Sequence, residues 1–256
     1  PPDKSKFPEG FKPLIDTAKQ KYGVKMFGIW HAFQGHWRGI RPDGPLGKRY
    51  RTISNEGDIS PWAPKVAPLH LIHPDDIARF YHELHSYLRS QGADFIKVDN
   101  QSSIEVFADG RLGHVSTMQR YQWAYQGAMQ VHFNGEAISC MCNGSDVAYN
   151  LLAANVFRNS DDYFPDRPAS HGLHILWNAM NALWTSQFSV PDWDMFWSHH
   201  PQGQFHAMAR AISGGPVYVS DEPGKHNFDI LRKLVMSDGI VLRSDRPALP
   251  SALEKS

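Results

Sequence analysis

Apolar residues recur along the chain in two rhythms. Short runs of strand length alternate with longer stretches whose apolar positions fall three and four apart, the spacing of one helix face. Pro13 to Tyr22, with Pro near its start and Gly23 as its stop, predicts a short helix. Lys25 to Trp30 predicts a strand, and the Pro- and Gly-rich segment from His31 to His73 an excursion that caps a pocket. The clearest helix follows. Asp75 and Asp76 fall in its first turn, Ile77, Phe80, Tyr81, Leu84, Tyr87 and Leu88 recur at helical spacing, and Gly92 lies past its end.

Strand Phe95 to Val98 comes next, then an irregular stretch and a helix from Val115 to Phe133. Strand Ala137 to Met141 precedes a helix at Val147 to Ala153, and strand Asn155 to Arg158 precedes one at Ala169 to Thr185. Strand Gln187 to Val190 precedes helix His200 to Ser213; strand Pro216 to Val219 precedes helix Phe228 to Met236 and an extended piece at Ile240 to Arg243. Six strand and helix units in series, with no internal repeat, fall two short of an eight-stranded barrel. An open nucleotide-binding sheet would carry a Gly-rich turn after its first strand, and Trp30-His31-Ala32-Phe33-Gln34-Gly35 has none. The expected fold is therefore α/β, a (β/α)8 TIM-barrel type without its first two strands. Residues 1–256 are expected to form a single catalytic domain of a larger multidomain protein, with the two strands supplied ahead of Pro1.

Polar groups cluster where the predicted strands end: Asp99, Cys140 and Cys142, Asp161 and Asp162, Asp192 and Asp194, and Asp221. Parallel strands present all their C-terminal ends on one side, so these groups are expected to converge on one pocket. Under period-two alternation Lys97 points to the same side as Asp99, where its ammonium would hold a hydroxyl and keep the carboxylate ionised. Asn100 and Gln101 can fix Asp99 or a ligand. Trp30 and His31 are placed to line the mouth. Asp192 and Asp194 flank Trp193, a pattern that fits hydroxyl binding beneath an indole as well as a polar turn opening the next helix.

Twenty-six basic residues balance twenty-six acidic ones, so no electrostatic grip on nucleic acid or an anionic membrane is expected. Eight Trp, nine Tyr and fourteen Phe suit sugar platforms as well as core filling. Two cysteines are too few for a disulfide framework or a structural zinc site. Without a signal peptide or an apolar run of about 20 residues, a cytoplasmic location is the expectation. The fourteen histidines raise the question of a metal, yet His82 and His85 read as a solvated helix face with no acidic partner in register, and the pair His199-His200 as solvent-facing too, so no metal and no cofactor is expected. No Gly-x-Ser-x-Gly elbow occurs, and Ser213-Gly214-Gly215-Pro216 precedes a strand, which suits a tight connection and not a phosphate cradle.

Five blocks resemble the raffinose synthase and seed imbibition protein family, relatives of the alkaline α-galactosidases among the α-galactosidase glycoside hydrolases. They are Trp30 to Phe33, Lys97 to Gln101, Arg158 through Ser160-Asp161-Asp162-Tyr163, Pro191 to Phe196, and Ser213 to Gly224. The resemblance implies Asp99 as nucleophile and Asp161 as general acid/base, with Asp162 beside it as the alternative. It implies sugar contacts from Trp30, His31, Lys97, Asn100, Arg158, Asp162, Asp192, Trp193, Asp194, and Cys140 or Cys142, with Cys142 preferred. Retaining glycoside hydrolysis needs two carboxyl groups about 5 to 5.5 Å apart, one attacking the anomeric carbon and one protonating the leaving oxygen. The expected partner is a small carbohydrate: an α-galactoside, galactinol, sucrose or a raffinose-type oligosaccharide. The leading expectation is a retaining hydrolase of α-galactosides. A galactosyltransferase moving galactose from galactinol to sucrose is the alternative, and an inactive carbohydrate-binding remnant the third.

Overall fold

A computed structural model describes residues 3–55, 69–108 and 112–251, which fall into two compact units, Pro1–Asn155 and Val156–Ser256. The middle of the predicted excursion, 56–68, lies outside the described residues.

The first unit runs α1 (Lys12–Tyr22), β1 (Gly28–Ala32), α2 (Pro45–Arg49), β2 (Thr52–Asn55), β3 (Leu69–Ile72), α3 (Ile77–Ser90), β4 (Phe95–Asp99), α4 (Ser103–Phe107), α5 (His114–Phe133), β5 (Ala137–Ser139) and α6 (Ser145–Ala148). β4 lies between β1 and β5, parallel to both, with Ala32 paired to Asp99 and Val98 to Ser139. The excursion folds into the antiparallel pair β2 and β3, with Thr52 opposite Ile72. Gly39 meets β3 so closely, at φ 80°, that a Cβ there would stand 1.9 Å from the His70 carbonyl oxygen. Only glycine permits that approach.

Helix α3 buries Ile77, Phe80, Tyr81 and Leu88, as its spacing predicts, and also His85. Asp75 and Asp76 precede the helix and do not form its first turn; Asp76 accepts from the Arg51 amide at 2.8 Å, and Asp75 pairs with Arg120. Rings from the strand end and the two long helices form the core, Phe33 lying 5.6 to 5.8 Å from Tyr121, Tyr125 and Tyr81. Each such buried ring contributes a few kcal/mol, order about 2 to 3. Their polar tips are not wasted, because Tyr121 Oη donates to Ile72 O at 2.6 Å and Tyr81 Oη to Phe33 O.

The second unit runs β6 (Val156–Arg158), α7 (Ser170–Thr185), β7 (Val190–Asp192), α8 (Gly203–Ile212) and α9 (Phe228–Leu231), which tightens into a 3₁₀ turn at Arg232–Leu234. β6 and β7 are parallel, with Arg158 paired to Asp192. The strand expected at 187–190 starts three residues later, because the amides of Gln187, Phe188 and Ser189 turn back to the α7 carbonyls of Trp184 and Thr185. That shift makes Asp192 the last residue of the strand. Of the strand expected at 216–219, a single parallel bridge from Val219 to Phe196 forms. The unit's core gathers Tyr163, Phe196, Ala207 and Leu234. Ser213-Gly214-Gly215-Pro216 is the expected tight connection: a Cβ on Gly215 would fall 1.9 Å from the Pro191 carbonyl oxygen.

Candidate active site

Asp99 closes β4 with 9% of its surface exposed. Its Oδ2 accepts from the Trp30 indole Nε1 at 3.1 Å, and its Oδ1 from the Asn100 amide at 2.7 Å. The second bond follows from Asn100 taking φ 63°, a left-handed conformation uncommon outside glycine. Met141 (φ 46°) and Asp194 (φ 66°) also stand just past strand ends, after β5 and β7. Strain of this kind collects at functional sites. Trp30 Nε1 fixes the carboxylate from one side, while 45% of the residue stays exposed.

The residues behind Asp99 are linked by a chain of amides. Gln101 Nε2 donates to Val98 O at 3.0 Å, Gln122 Nε2 to Gln101 Oε1 at 2.8 Å, and Gln126 Nε2 to Gln122 Oε1 at 3.1 Å. Gln126 Oε1 then accepts from the amides of Leu152 and Ala153 at 2.7 and 2.6 Å. Those bonds explain why the helix expected to reach Ala153 stops at Ala148. Sequence reading noted Gln101 but missed Gln122 and Gln126; their spacing of four along α5, facing inward, was the available sign.

His31 does not join Trp30 at the mouth. Successive strand residues face opposite ways, and His31 turns toward the helices, where its Nε2 lies 3.2 Å from Nε2 of the fully buried His85. This also corrects the reading of His85 as solvated: it stands four residues after Tyr81, within the buried stripe. Burial lowers the His31 pKa to about 4 and takes His85 well below the usual range, with His31 beside it adding to the effect. Cys142, expected near the sugar, is fully buried and donates to Ser139 O at 3.3 Å. Lys97 is half-buried on the same strand face as Asp99.

In the second unit, Arg158 decides how the acidic pair after β6 is arranged. Its Nη2 binds Asp162 Oδ1 at 2.5 Å, while its Nη1 forms a buried pair with Asp194 Oδ1 at 2.9 Å. Asp194 Oδ2 accepts from the Tyr163 amide at 2.8 Å, so the loop bearing Asp161 is clamped at both ends. Asp161 is exposed; its Oδ1 accepts from the Asp162 amide at 2.8 Å. Of the two acids, Asp162 is the one held by a cation.

Asp192, Trp193 and Asp194 were expected to meet a ligand, but they are 0, 1 and 2% exposed. Tyr218 Oη donates to Asp192 Oδ2 at 2.9 Å, and the Asp194 amide to Asp192 Oδ1 at 2.9 Å. Burial raises the Asp192 pKa, with Arg158 opposing. The buried Arg210 holds the turn from behind, with Nε on Asp194 O and Nη2 on Met195 O, both at 3.0 Å. Its remaining donors reach His206 Nδ1 at 2.7 Å and His174 Nε2 at 3.0 Å. An arginine only donates, so His206 Nδ1 accepts there, while His174 Nε2 also lies 3.2 Å from the Trp193 carbonyl oxygen. Burial and then Arg210 set their pKa values at about 4 for His174 and about 2 for His206. These three acid-and-indole positions, with Arg158, thus brace the loops and do not present an open surface. Asp221 likewise accepts from the Ser198 amide at 2.6 Å and from Nδ1 of His199 and His226 at 3.2 Å; burial works against its charge, but these bonds keep its pKa below the usual carboxylate value. Sequence reading missed Tyr218 and Arg210, since neither stands at a strand end.

Among the described residues, no group of three or more His, Cys, Asp or Glu side chains could hold a metal ion, and no helix is long and apolar enough to cross a membrane.

The chain is 42% identical over 252 residues to a probable galactinol–sucrose galactosyltransferase of Arabidopsis thaliana, covering 94% of this chain and 33% of that protein. It is 31% identical over 272 residues to the galactinol–sucrose galactosyltransferase of Pisum sativum (95% and 33%), and 32% over 251 residues to the stachyose synthase of the same plant (91% and 29%). The chain spans about a third of the length of these curated relatives. Among solved structures, it resembles an α-galactosidase from Thermus thermophilus in complex with stachyose, at TM-score 0.61 and 16% identity, covering 90% of this chain and 52% of that one. It also resembles a β-L-arabinopyranosidase from Geobacillus stearothermophilus, at TM-score 0.54 and 17% identity, covering 87% and 55%. At such identities the likeness shows the fold alone, an α/β barrel type, of which this chain forms part. The model of raffinose synthase or seed imbibition protein Sip1 matches residues 2–253, and the chain belongs to that family.

Proposed function

We propose that this chain carries the reacting carboxyl groups of an enzyme that moves a galactosyl group from an α-galactoside donor, such as galactinol, to a sugar acceptor. Asp99 attacks the anomeric carbon as the bond to the leaving oxygen breaks, and Asp161 gives that oxygen its proton. An acceptor hydroxyl then returns a proton to Asp161 while its oxygen displaces Asp99, restoring both groups. The observation that carries the reading is the setting of Asp99: a carboxylate at a strand end, oriented by Trp30 Nε1 and the Asn100 amide. The preference for transfer rests on the relatives, whose names are those of galactosyltransferases. Hydrolysis is the second reading, favoured by the likeness of fold to glycosidases, and differs only in water taking the acceptor's place.

Asp161 is preferred over Asp162 because Arg158 neutralises Asp162. Asn100 and Lys97 border the donor sugar in this reading. A cytoplasmic location is part of this reading, in keeping with only two cysteines in the whole chain, too few for a disulfide framework; a tagged protein found in the endomembrane lumen would reject that location. The enzyme test is to replace Asp99, Asp161 and Asp162 with Asn or Ala in turn. Loss of about four orders of magnitude or more is expected for Asp99→Asn. Azide should rescue Asp161→Ala with an activated leaving group and leave Asp162→Ala unchanged. Full activity in Asp99→Asn, or rescue of the Asp162 variant instead, refutes the assignment.

A further inference from the structure

We infer that Trp37 forms a wall of the acceptor-sugar subsite beside Asp99, an inference that rests on the transfer reading above. Trp30 and Trp37 are 45 and 46% exposed, with ring centroids 5.8 Å apart and planes tilted by 38°. Large indoles so close together and so open to water offer a nearly continuous apolar surface, the kind of platform that takes the C–H face of a sugar ring. Trp30 is bound to the carboxylate itself, so its ring belongs to the sugar being transferred. Trp37 meets Asp99 only through Trp30 and through backbone, and its ring belongs to the sugar one step out.

The position of Trp37 is built and not incidental. Its carbonyl oxygen accepts from Asn100 Nδ2 at 3.3 Å and from Gln34 Nε2 at 3.1 Å. Asn100 is the residue whose backbone amide binds Asp99 Oδ1, so one residue, through its backbone and its side chain, registers the indole loop against the reacting group. The residues flanking Trp37, His36 and Arg38, line an open groove of about 850 Å³ that continues along Ile40 to Leu46 and past His70. That volume falls within the range of small-molecule sites. The groove carries hydrogen-bonding groups at its rim, with Arg41 and Asp43 paired at 2.8 Å. An exposed indole pair, with a groove lined by the sequence neighbours of Trp37, suits a neutral oligosaccharide with a free hydroxyl.

The test uses the full-length protein and two assays: transfer from galactinol to sucrose, and hydrolysis of α-galactosyl fluoride, whose leaving group carries no ring. Trp37→Ala should raise KM for sucrose about tenfold and lower the transfer-to-hydrolysis ratio by a similar factor, the scale of one lost ring stack. kcat/KM for the fluoride, which places no ring in the acceptor subsite, should stay within about twofold, which also reports that the variant folds. Trp37→Phe, which keeps a ring, should recover most of the ratio. An unchanged ratio in Trp37→Ala, an equal fall in both reactions, or a wild type that hydrolyses yet transfers to no sugar overturns the inference. Asp99→Asn separates the two levels: if it is active, the transfer reading itself fails, whereas an inactive Asp99→Asn beside an unaltered Trp37→Ala ratio rejects the acceptor wall alone.

Discussion

Acidification should weaken this fold through His31, and the effect can be isolated. The imidazole lies against His85 Nε2 at 3.2 Å and is neutral, its pKa lowered by burial from 6.5 to about 4. In the unfolded chain the same group titrates near its ordinary value. Between those two values the unfolded state binds a proton that the folded state refuses, so stability rises with pH and is lost as pH falls. The contribution is complete above the unfolded pKa. Going from about pH 7.5 to about pH 5, linkage with these two pKa values removes about 2 kcal/mol. His31→Asn deletes the titration, while His85 continues to titrate in both proteins. Urea unfolding at the two pH values, followed by tryptophan fluorescence, should show a wild-type loss larger than the variant's by about 2 kcal/mol. Equal losses in the two proteins, or a wild type that gains stability in acid, would refute the reasoning.

Replacing Arg158 with Met leaves Asp194 as a buried charge without its cation, and should lower stability by about 3 to 5 kcal/mol; a thermal-melting loss below about 1 kcal/mol would contradict the clamp. Gly215→Ala places a Cβ 1.9 Å from Pro191 O and should cost about 1 to 3 kcal/mol or more, measured by the same melt. An unchanged melting temperature there would mean that the Ser213 turn is free to move away from β7.

The long helices and the strand ahead of Asp99 were legible in the sequence because apolar spacing and packing agree there. Helix α3 stands where its stripe predicts, and the predicted strand Phe95 to Val98 lies within β4. Boundaries slipped where side chains compete for backbone groups, as when Gln126 captures the amides of Leu152 and Ala153. The burial of Asp192 and Asp194 could not be read from the sequence because their partners, Arg158, Tyr218 and the Tyr163 amide, come from distant stretches of chain. His85 was misjudged by residue type, although its spacing from Tyr81 and Leu88 already put it in the stripe. The alternation that groups Lys97 with Asp99 also sends His31 the other way from Trp30.

The run of glutamines from Gln101 through Gln122 to Gln126 has one further consequence. Carboxamides neither gain nor lose protons across the biological pH range, in contrast to the imidazole pair a few residues away. As acid loosens the packing around His31, the support beneath Asp99 keeps its bonding pattern, so catalytic geometry should outlast the decline in global stability. Activity measured in brief assays would then persist at acidities where prolonged incubation inactivates the protein.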